Sequence, residues 1–367
     1  MYSRLRWWMS LAVVGLCAGL VIPVRAQVQD AAVITAENIQ HLAPVAVIDF
    51  AGLPEHAGQI INGRVFTSSD GRLYAVVNRE GQVVFLDEAG SVLSVTDRIM
   101  TDDGFPATFI DGAFDPSGQL FAALHSQGMA YHITIAAISG GQATLTVSSE
   151  DKPVSIWLDE EMAWLEVIPA NANSAPYLLQ LPKSISSDTV PVRKLFAPAQ
   201  DEQAVARVGR LPLPLAVTAT ESGHVSRWDL SQGKLTAEAQ VDAVPIYGAI
   251  TLDGRYLVWR DPASVALHLL DFETGADQIV TLMDGLYIPF ILLTAQADVV
   301  IGVYVNDEPA VVGWETATGR LHWLGHYRQC ERPPDMVTFS NDRTTLVIGC
   351  DSGIEIWRAV EPVEVNG

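Results

Sequence analysis

Val65-Phe66-Thr67-Ser68-Ser69-Asp70-Gly71-Arg72-Leu73-Tyr74-Ala75-Val76-Val77-Asn78-Arg79-Glu80-Gly81-Gln82-Val83-Val84-Phe85-Leu86-Asp87 is the stretch whose reading decides the fold. Three short apolar runs, 65–67, 73–77 and 83–87, are cut by a tight polar turn at Ser68–Gly71 and by a second turn ending at Gly81. Runs this short, rich in β-branched residues and bounded by Gly and Asp, read as strands. A fourth strand follows around Ser91–Val95.

The same grammar returns at Ala113–Val147 with the turn Asp115-Pro116-Ser117-Gly118, at Ile246–Leu282 with the turn Asp253-Gly254, and at Met336–Trp357 with the turn Asn341-Asp342. The third strand of each unit serves as a ruler. Trp228-Asp229, Leu270-Asp271, Trp314-Glu315 and Trp357-Arg358 place their second residues at 229, 271, 315 and 358, spaced 42, 44 and 43 residues apart. Asp87 stands 142 residues before Asp229, which leaves room for two degenerate units with third strands at Met129–Ala137 and Pro176–Pro182. Seven units of four strands at this period imply an all-β, seven-bladed β-propeller with antiparallel blades over 41–360.

Composition agrees. Of the 367 residues 49% are hydrophobic and only 18% charged, as expected where strands bury both faces between neighbouring blades. The last unit lacks a good fourth strand, since the chain from Ala359 to Gly367 is short and polar. Leu42–Phe50, an apolar strand ahead of the first unit, is expected to complete it and close the ring.

The N-terminus reads as an export segment. Arg4 and Arg6 precede an uncharged stretch from Trp7 to Val24, and Val24-Arg25-Ala26 offers small residues to a signal peptidase, with Gln27 beginning the mature chain. Retention as a membrane anchor is the other reading, because 18 uncharged residues reach the lower end of a span. Lipidation at Cys17 is disfavoured by Leu16. The expected organisation is a signal peptide at 1–26, a tail at 27–40, the propeller at 41–360 and a C-terminal tail at 361–367, outside the cytoplasm. Lys and Arg number 22 against 43 Asp and Glu, a formal charge of −21; cleavage removes three arginines and leaves −24. That sign excludes phosphate-neutralising partners such as nucleic acid. Cys330 and Cys350 remain in the mature chain, and an oxidising compartment favours a disulfide between them over two free thiols.

The chain resembles the WD-repeat propellers. Trp228-Asp229 is the literal dipeptide of that family, and Gly325-His326 followed by Trp357-Arg358 comes nearest its longer pattern. The resemblance implies a structural hydrogen-bonded tetrad in the last unit with His326, Asp351 and Trp357 as three of its members; the hydroxyl position near Gly349-Cys350 is unmatched. Glu315-Thr316-Ala317-Thr318-Gly319-Arg320-Leu321-His322-Trp323 is also similar to the blade-docking motif of quinone-dependent propeller dehydrogenases and their non-enzymatic relatives. It implies residues that pack blades and do not touch a quinone.

Catalytic signatures are missing: the sequence holds no Gly-x-Ser-x-Gly, His-Glu-x-x-His or phosphate-loop motif. The histidines are scattered, with His132 and His268 read as packing residues. Asp102-Asp103 and Asn306-Asp307-Glu308 are oxygen-rich turns of the kind that take Ca²⁺, and are read as solvated turns. No cofactor and no metal site is expected. The preferred function is a non-catalytic protein-binding scaffold, expected to be monomeric, using the loops Asp97–Pro106, Asp284–Pro289 and Gly325–Pro334. Phe105, Tyr287, Tyr327, Arg328 and Arg332 on those loops are the residue types that dominate interfaces. The alternative is an enzyme with a central-funnel site, a quinone-linked dehydrogenase or a lactonase-like hydrolase.

Overall fold

The computed structural model describes residues 31–360 apart from 101–103, 128–129, 149–151, 159–161, 169–176, 183–192, 195–201, 209–214, 221, 230–231, 244, 246–247, 262–265, 282–287, 306–308, 329 and 331–332. The stretches read as a signal segment and a C-terminal tail, Tyr287, Arg332 and both candidate Ca²⁺ turns lie outside the described residues. No helix among the described residues is long and apolar enough to cross a membrane.

The described strands form four-stranded antiparallel sheets, seven in number, six of them built from consecutive strands. Sheet one comprises Ile60–Thr67, Leu73–Asn78, Val83–Asp87 and Val92–Val95. The third strands of sheets two to six are Ala130–Ala137, Tyr177–Pro182, His224–Asp229, Ala266–Asp271 and Ala310–Glu315, so the degenerate units fall where the spacing puts them. Sheet seven takes Met336–Phe339, Thr345–Cys350 and Gly353–Ala359 from the end of the chain. Its outer strand is Leu42–Asp49, paired antiparallel to Gly353–Ala359 in a register that sets Leu42 opposite Ala359 and Asp49 opposite Gly353.

One turn, repeated five times, shows why these sequences fold alike. Between first and second strands, Gly71, Gly118, Gly254, Ala297 and Arg343 each donate their N–H to the carbonyl three residues earlier, on Ser68, Asp115, Thr251, Thr294 and Ser340, at 2.9–3.1 Å. The side chain of that earlier residue caps the turn: Ser68 and Thr251 each bond the Asp two residues on, at 2.6 Å, and so does Ser340, with Asp342. The donating residue has positive φ in every case, 67°, 69° and 71° at the three glycines and 55° and 59° at Ala297 and Arg343. Glycine takes this conformation without steric cost, whereas Ala297 and Arg343 pay for it.

The first strands of neighbouring sheets lie against one another: one on two, two on three, four on five, five on six, six on seven, and seven on one. The cores accordingly lie between sheets. Val65, Tyr74, Val76 and Leu86 of sheet one pack with Val347, Ile354 and Ile356 of sheet seven, and Phe66, Ala75 and Phe85 of the same sheet pack with Phe114 and Phe121 of sheet two. The strand Leu73–Asn78 is therefore buried along nearly its whole length, with alternate side chains serving two interfaces. Ile34 and Ile39, in the stretch read as a tail, are fully buried beside Leu42, Val299 and Leu346.

Candidate functional site

The loop between sheets one and two is braced at its base and carries two exposed apolar side chains, Met100 and Phe105. Met100 bridges Pro106, the Ala107 N–H donates to the Ile99 carbonyl at 2.9 Å, and the Asp97 N–H donates to Gln142 Oε1 of sheet two at 2.8 Å. Arg98 pairs with Glu80 on the adjoining turn. Phe105 is 69% exposed and Met100 43%. Singly exposed apolar residues are ordinary; here two stand on one braced loop.

The other loop residues divide. Arg328 is exposed, its backbone N–H donating to the Glu355 carboxylate. Tyr327 is not on the surface: it is 2% exposed, and its hydroxyl donates to the Tyr304 carbonyl at 3.1 Å. Burial pushes this phenol up to about 12. The expectation of an exposed Tyr327 is corrected, because the ring fills the apolar space with Ile34, Val303 and Trp357 that six neighbouring residues could not disclose.

His326, Asp351 and Trp357 do not form one hydrogen-bonded group. His326 ends the outer strand of sheet six opposite Ala310 and is exposed, with Nδ1 3.2 Å from the Pro309 carbonyl. Asp351 is exposed in the turn before the last strand. Trp357 is fully buried, but its Nε1 donates to Glu355 Oε2 at 3.2 Å, so a carboxylate two residues earlier on the same strand captures the indole. In sheet four the pairing does occur: Trp228 Nε1 donates to Thr218 Oγ1 at 2.9 Å, with Thr218 1% exposed. Thr218 was legible as a hydroxyl on the preceding strand, ten residues before the Trp. Asp229, beside Trp228, is also buried.

The motif around Trp323 is corrected too. Glu315 accepts from Thr318 at 2.7 Å and meets His322 at 2.7 Å, which holds its carboxyl below the usual carboxylate range, and the turn is formed. Trp323, however, is 54% exposed, edge-on to Tyr304, and wedges between no blades. Of the strand histidines, His268 is buried, stacked on Trp259 and 2.9 Å from Asp277, while His132 is half-buried against Gln127. Cys330 and Cys350 form a disulfide with Cα atoms 5.3 Å apart.

A second feature was not foreseen. The first strands of sheets two, three, five, six and seven line a cavity of about 320 Å³. Asp111 of sheet two lies in its wall and reaches sheet three, where its Oδ2 accepts from Ser155 Oγ at 2.7 Å and from the Ile156 N–H at 3.0 Å. Thr338, Ser340, Asn341 and Arg343 supply the wall from sheet seven. No three His, Cys, Asp or Glu side chains gather in a metal-binding group among the described residues.

No family model matches the chain, and no curated protein matches it in sequence. Its fold is similar to that of solved β-propellers. The β-propeller domain of Cps50 (Swd1) from Myceliophteria thermophila aligns with a TM-score of 0.57 at 15% identity, covering 83% of this chain and 98% of that one. A chain of the Mitotic Checkpoint Complex aligns with a TM-score of 0.57 at 11% identity, covering 87% of this chain and 96% of that one. At such identities the likeness is one of fold, and it makes this chain a β-propeller in architecture.

Proposed function

We propose that this β-propeller is a non-catalytic scaffold that binds a protein partner outside the cytoplasm, with Met100 and Phe105 as the apolar anchor and exposed Arg328 as a further contact. The observation that carries the reading is the 69% exposure of Phe105 on a loop whose base is braced, since an aromatic already positioned loses little entropy when a partner covers it. One structure of similar fold is part of a multi-protein complex, which supports the same class of role.

The scaffold is a single disc of seven blades, closed where Leu42–Asp49 joins the last sheet, and a monomer. Support for closure comes from that pairing and from the packing of sheet seven against sheet one. Support for export comes from the N-terminal segment and from the Cys330–Cys350 disulfide, a bond that persists in oxidising compartments. Fold alone would not choose between scaffold and enzyme; the exposed anchor favours the scaffold.

The test is quantitative cross-linking mass spectrometry on cells producing the wild type or the Met100→Ser/Phe105→Ser variant. A partner recovered with the wild type is expected to fall at least about tenfold with the variant, while Tm stays within about 1 °C. Equal recovery of every cross-linked protein overturns the reading.

A further inference from the structure

His125 is a buried side chain held by one ring nitrogen. It stands on the second strand of sheet two, 2% exposed, and its Nε2 lies 2.9 Å from the Gly81 carbonyl of sheet one. A carbonyl only accepts, so Nε2 carries a proton, and a second proton would have to sit on Nδ1. That Nδ1 is buried and meets no hydrogen-bond partner, and the Phe109 ring packs against the imidazole with centroids 5.4 Å apart. Protonation therefore places a charge and an unsatisfied donor in apolar surroundings. The charged groups on the elements packed around it give no relief. His132, directly opposite on the next strand, repels a second positive charge. Glu80 is engaged with Arg98, Arg64 donates to the Ile110 carbonyl, and Asp111 is turned to Ser155 of sheet three. Arg79 and Asp97 complete the set among the described residues, and no carboxylate reaches Nδ1.

The bond from His125 fixes the turn on which the Phe105 loop is seated. Gly81 ends that turn, its N–H donating to the Asn78 carbonyl at 3.0 Å. On the near side of the loop, Gln82 Nε2 donates to the Thr96 carbonyl at 2.8 Å, the Val83 N–H donates to Thr96 Oγ1 at 2.9 Å, and Glu80 pairs with Arg98. On the far side the loop returns so closely that a Cβ on Gly81 would lie 2.8 Å from the Ala107 carbonyl. Both ends of the loop thus rest on one turn of sheet one, and a side chain of sheet two holds that turn.

We propose that His125 is an acid-operated latch on the loop bearing Met100 and Phe105. Neutral, it fastens the turn to sheet two and keeps the loop in the form a partner meets; protonated, it leaves its site, and the base of the loop comes loose. Release of the partner on acidification rests on the reading of this loop as the contact, whereas the latch itself does not. The sign follows from burial, which pulls the folded pKa to about 4 from an ordinary 6.5. The closed form is fully favoured above the ordinary value and loses up to about tenfold per pH unit on the way down to the lower one.

The test is hydrogen–deuterium exchange of the full mature protein, read at single amides at about pH 7 and about pH 4.5 and corrected for intrinsic rates. Ala107, whose N–H donates to the Ile99 carbonyl, is expected to lose at least about tenfold in protection at the lower pH. There it should also exchange at least about tenfold faster than the amides of Leu73–Asn78, because the loop opens without the sheet. His125→Gln keeps a donor for Gly81 and does not titrate, so its Ala107 protection should change less than about threefold over the same range. Wild-type protection that persists at the lower pH, Ala107 exchanging only in step with Leu73–Asn78, or an equal loss in the folded His125→Gln variant overturns the latch. None of these readings involves a partner, so the latch and the contact role of the loop are decided separately.

Discussion

Arg358 and Glu88, 270 residues apart in the chain, are joined by a charge-assisted hydrogen bond of 2.8 Å. Arg358 is the penultimate residue of the third strand of sheet seven, and the same guanidinium donates to the Gly71 carbonyl at 3.1 Å and to Thr345 Oγ1 at 3.0 Å. Arg227 in sheet four does likewise to the Gly254 carbonyl at 2.8 Å. An arginine on one sheet thus clasps the first turn of the next at two places around the fold, one of them where the ends of the chain meet.

Loss of that clasp should be costly. Arg358 is 15% exposed and Glu88 30%, between the limits for surface and buried ion pairs. Arg358→Ala is expected to cost about 2–3 kcal/mol in urea unfolding, because Glu88 and the Gly71 carbonyl lose their donors. Arg358→Met with Glu88→Gln should cost less than the two single changes summed, a coupling that a double-mutant cycle measures.

Acid should weaken the protein in a window set by His125. This side chain is 2% exposed, with Nε2 2.9 Å from the Gly81 carbonyl, and burial pulls its pKa down to about 4 against an ordinary 6.5. Between those values the unfolded chain holds a proton that the folded one does not. Stability is therefore full above pH 6.5 and falls as pH drops toward 4, by on the order of 3 kcal/mol from this group. Chemical denaturation at a series of pH values should show His125→Gln losing less than the wild type across that window. Asp271, held at about 2 by hydrogen bonds from Arg255, acts below its ordinary 3.8, and its share disappears as pH falls through about 2.

The repeated turn predicts unequal responses to single-carbon changes. A Cβ at Gly71 would lie 2.5 Å from Thr345 Oγ1 and 2.7 Å from its Cβ, at φ 67°. Gly71→Ala is expected to cost about 2–4 kcal/mol through strain and overpacking against sheet seven. Ala297→Gly, which relaxes φ 55° but gives up a buried methyl, should stay within about 1 kcal/mol of the wild type. Equilibrium unfolding of both variants checks the contrast.

The Cys330–Cys350 bridge spans a sequence separation of 20. Mature protein denatured without reductant should show no titratable thiol, and Cys330→Ser/Cys350→Ser should lose about 3 kcal/mol, the loop-closure entropy of a ring that size. Two titratable thiols would refute the bridge.

How much of this was legible beforehand depended on range in the chain. Strand, turn and period are local: Ser68-Ser69-Asp70-Gly71 closes its own turn by hydrogen bonds that reach only to Leu73. Hence the spacing places third strands even at 130–137 and 177–182, where no Trp-Asp pair stands. The side-chain roles were less legible. Tyr327, His326 and Trp323 were read from their neighbours in sequence, yet burial of a Tyr or exposure of a Trp is decided by which sheet packs on it.

By itself, the sequence determined an all-β chain of repeated four-stranded units and a formal charge of −21, and it favoured a bridge between Cys330 and Cys350, because each follows from short-range pattern or composition. Only the tertiary structure decided that Tyr327 is buried with Ile34 and Trp357, that Arg358 reaches Glu88, and that Asp111 and Arg343 share one cavity. Those contacts join residues brought together by the packing of sheet on sheet, and no periodicity within a strand encodes them.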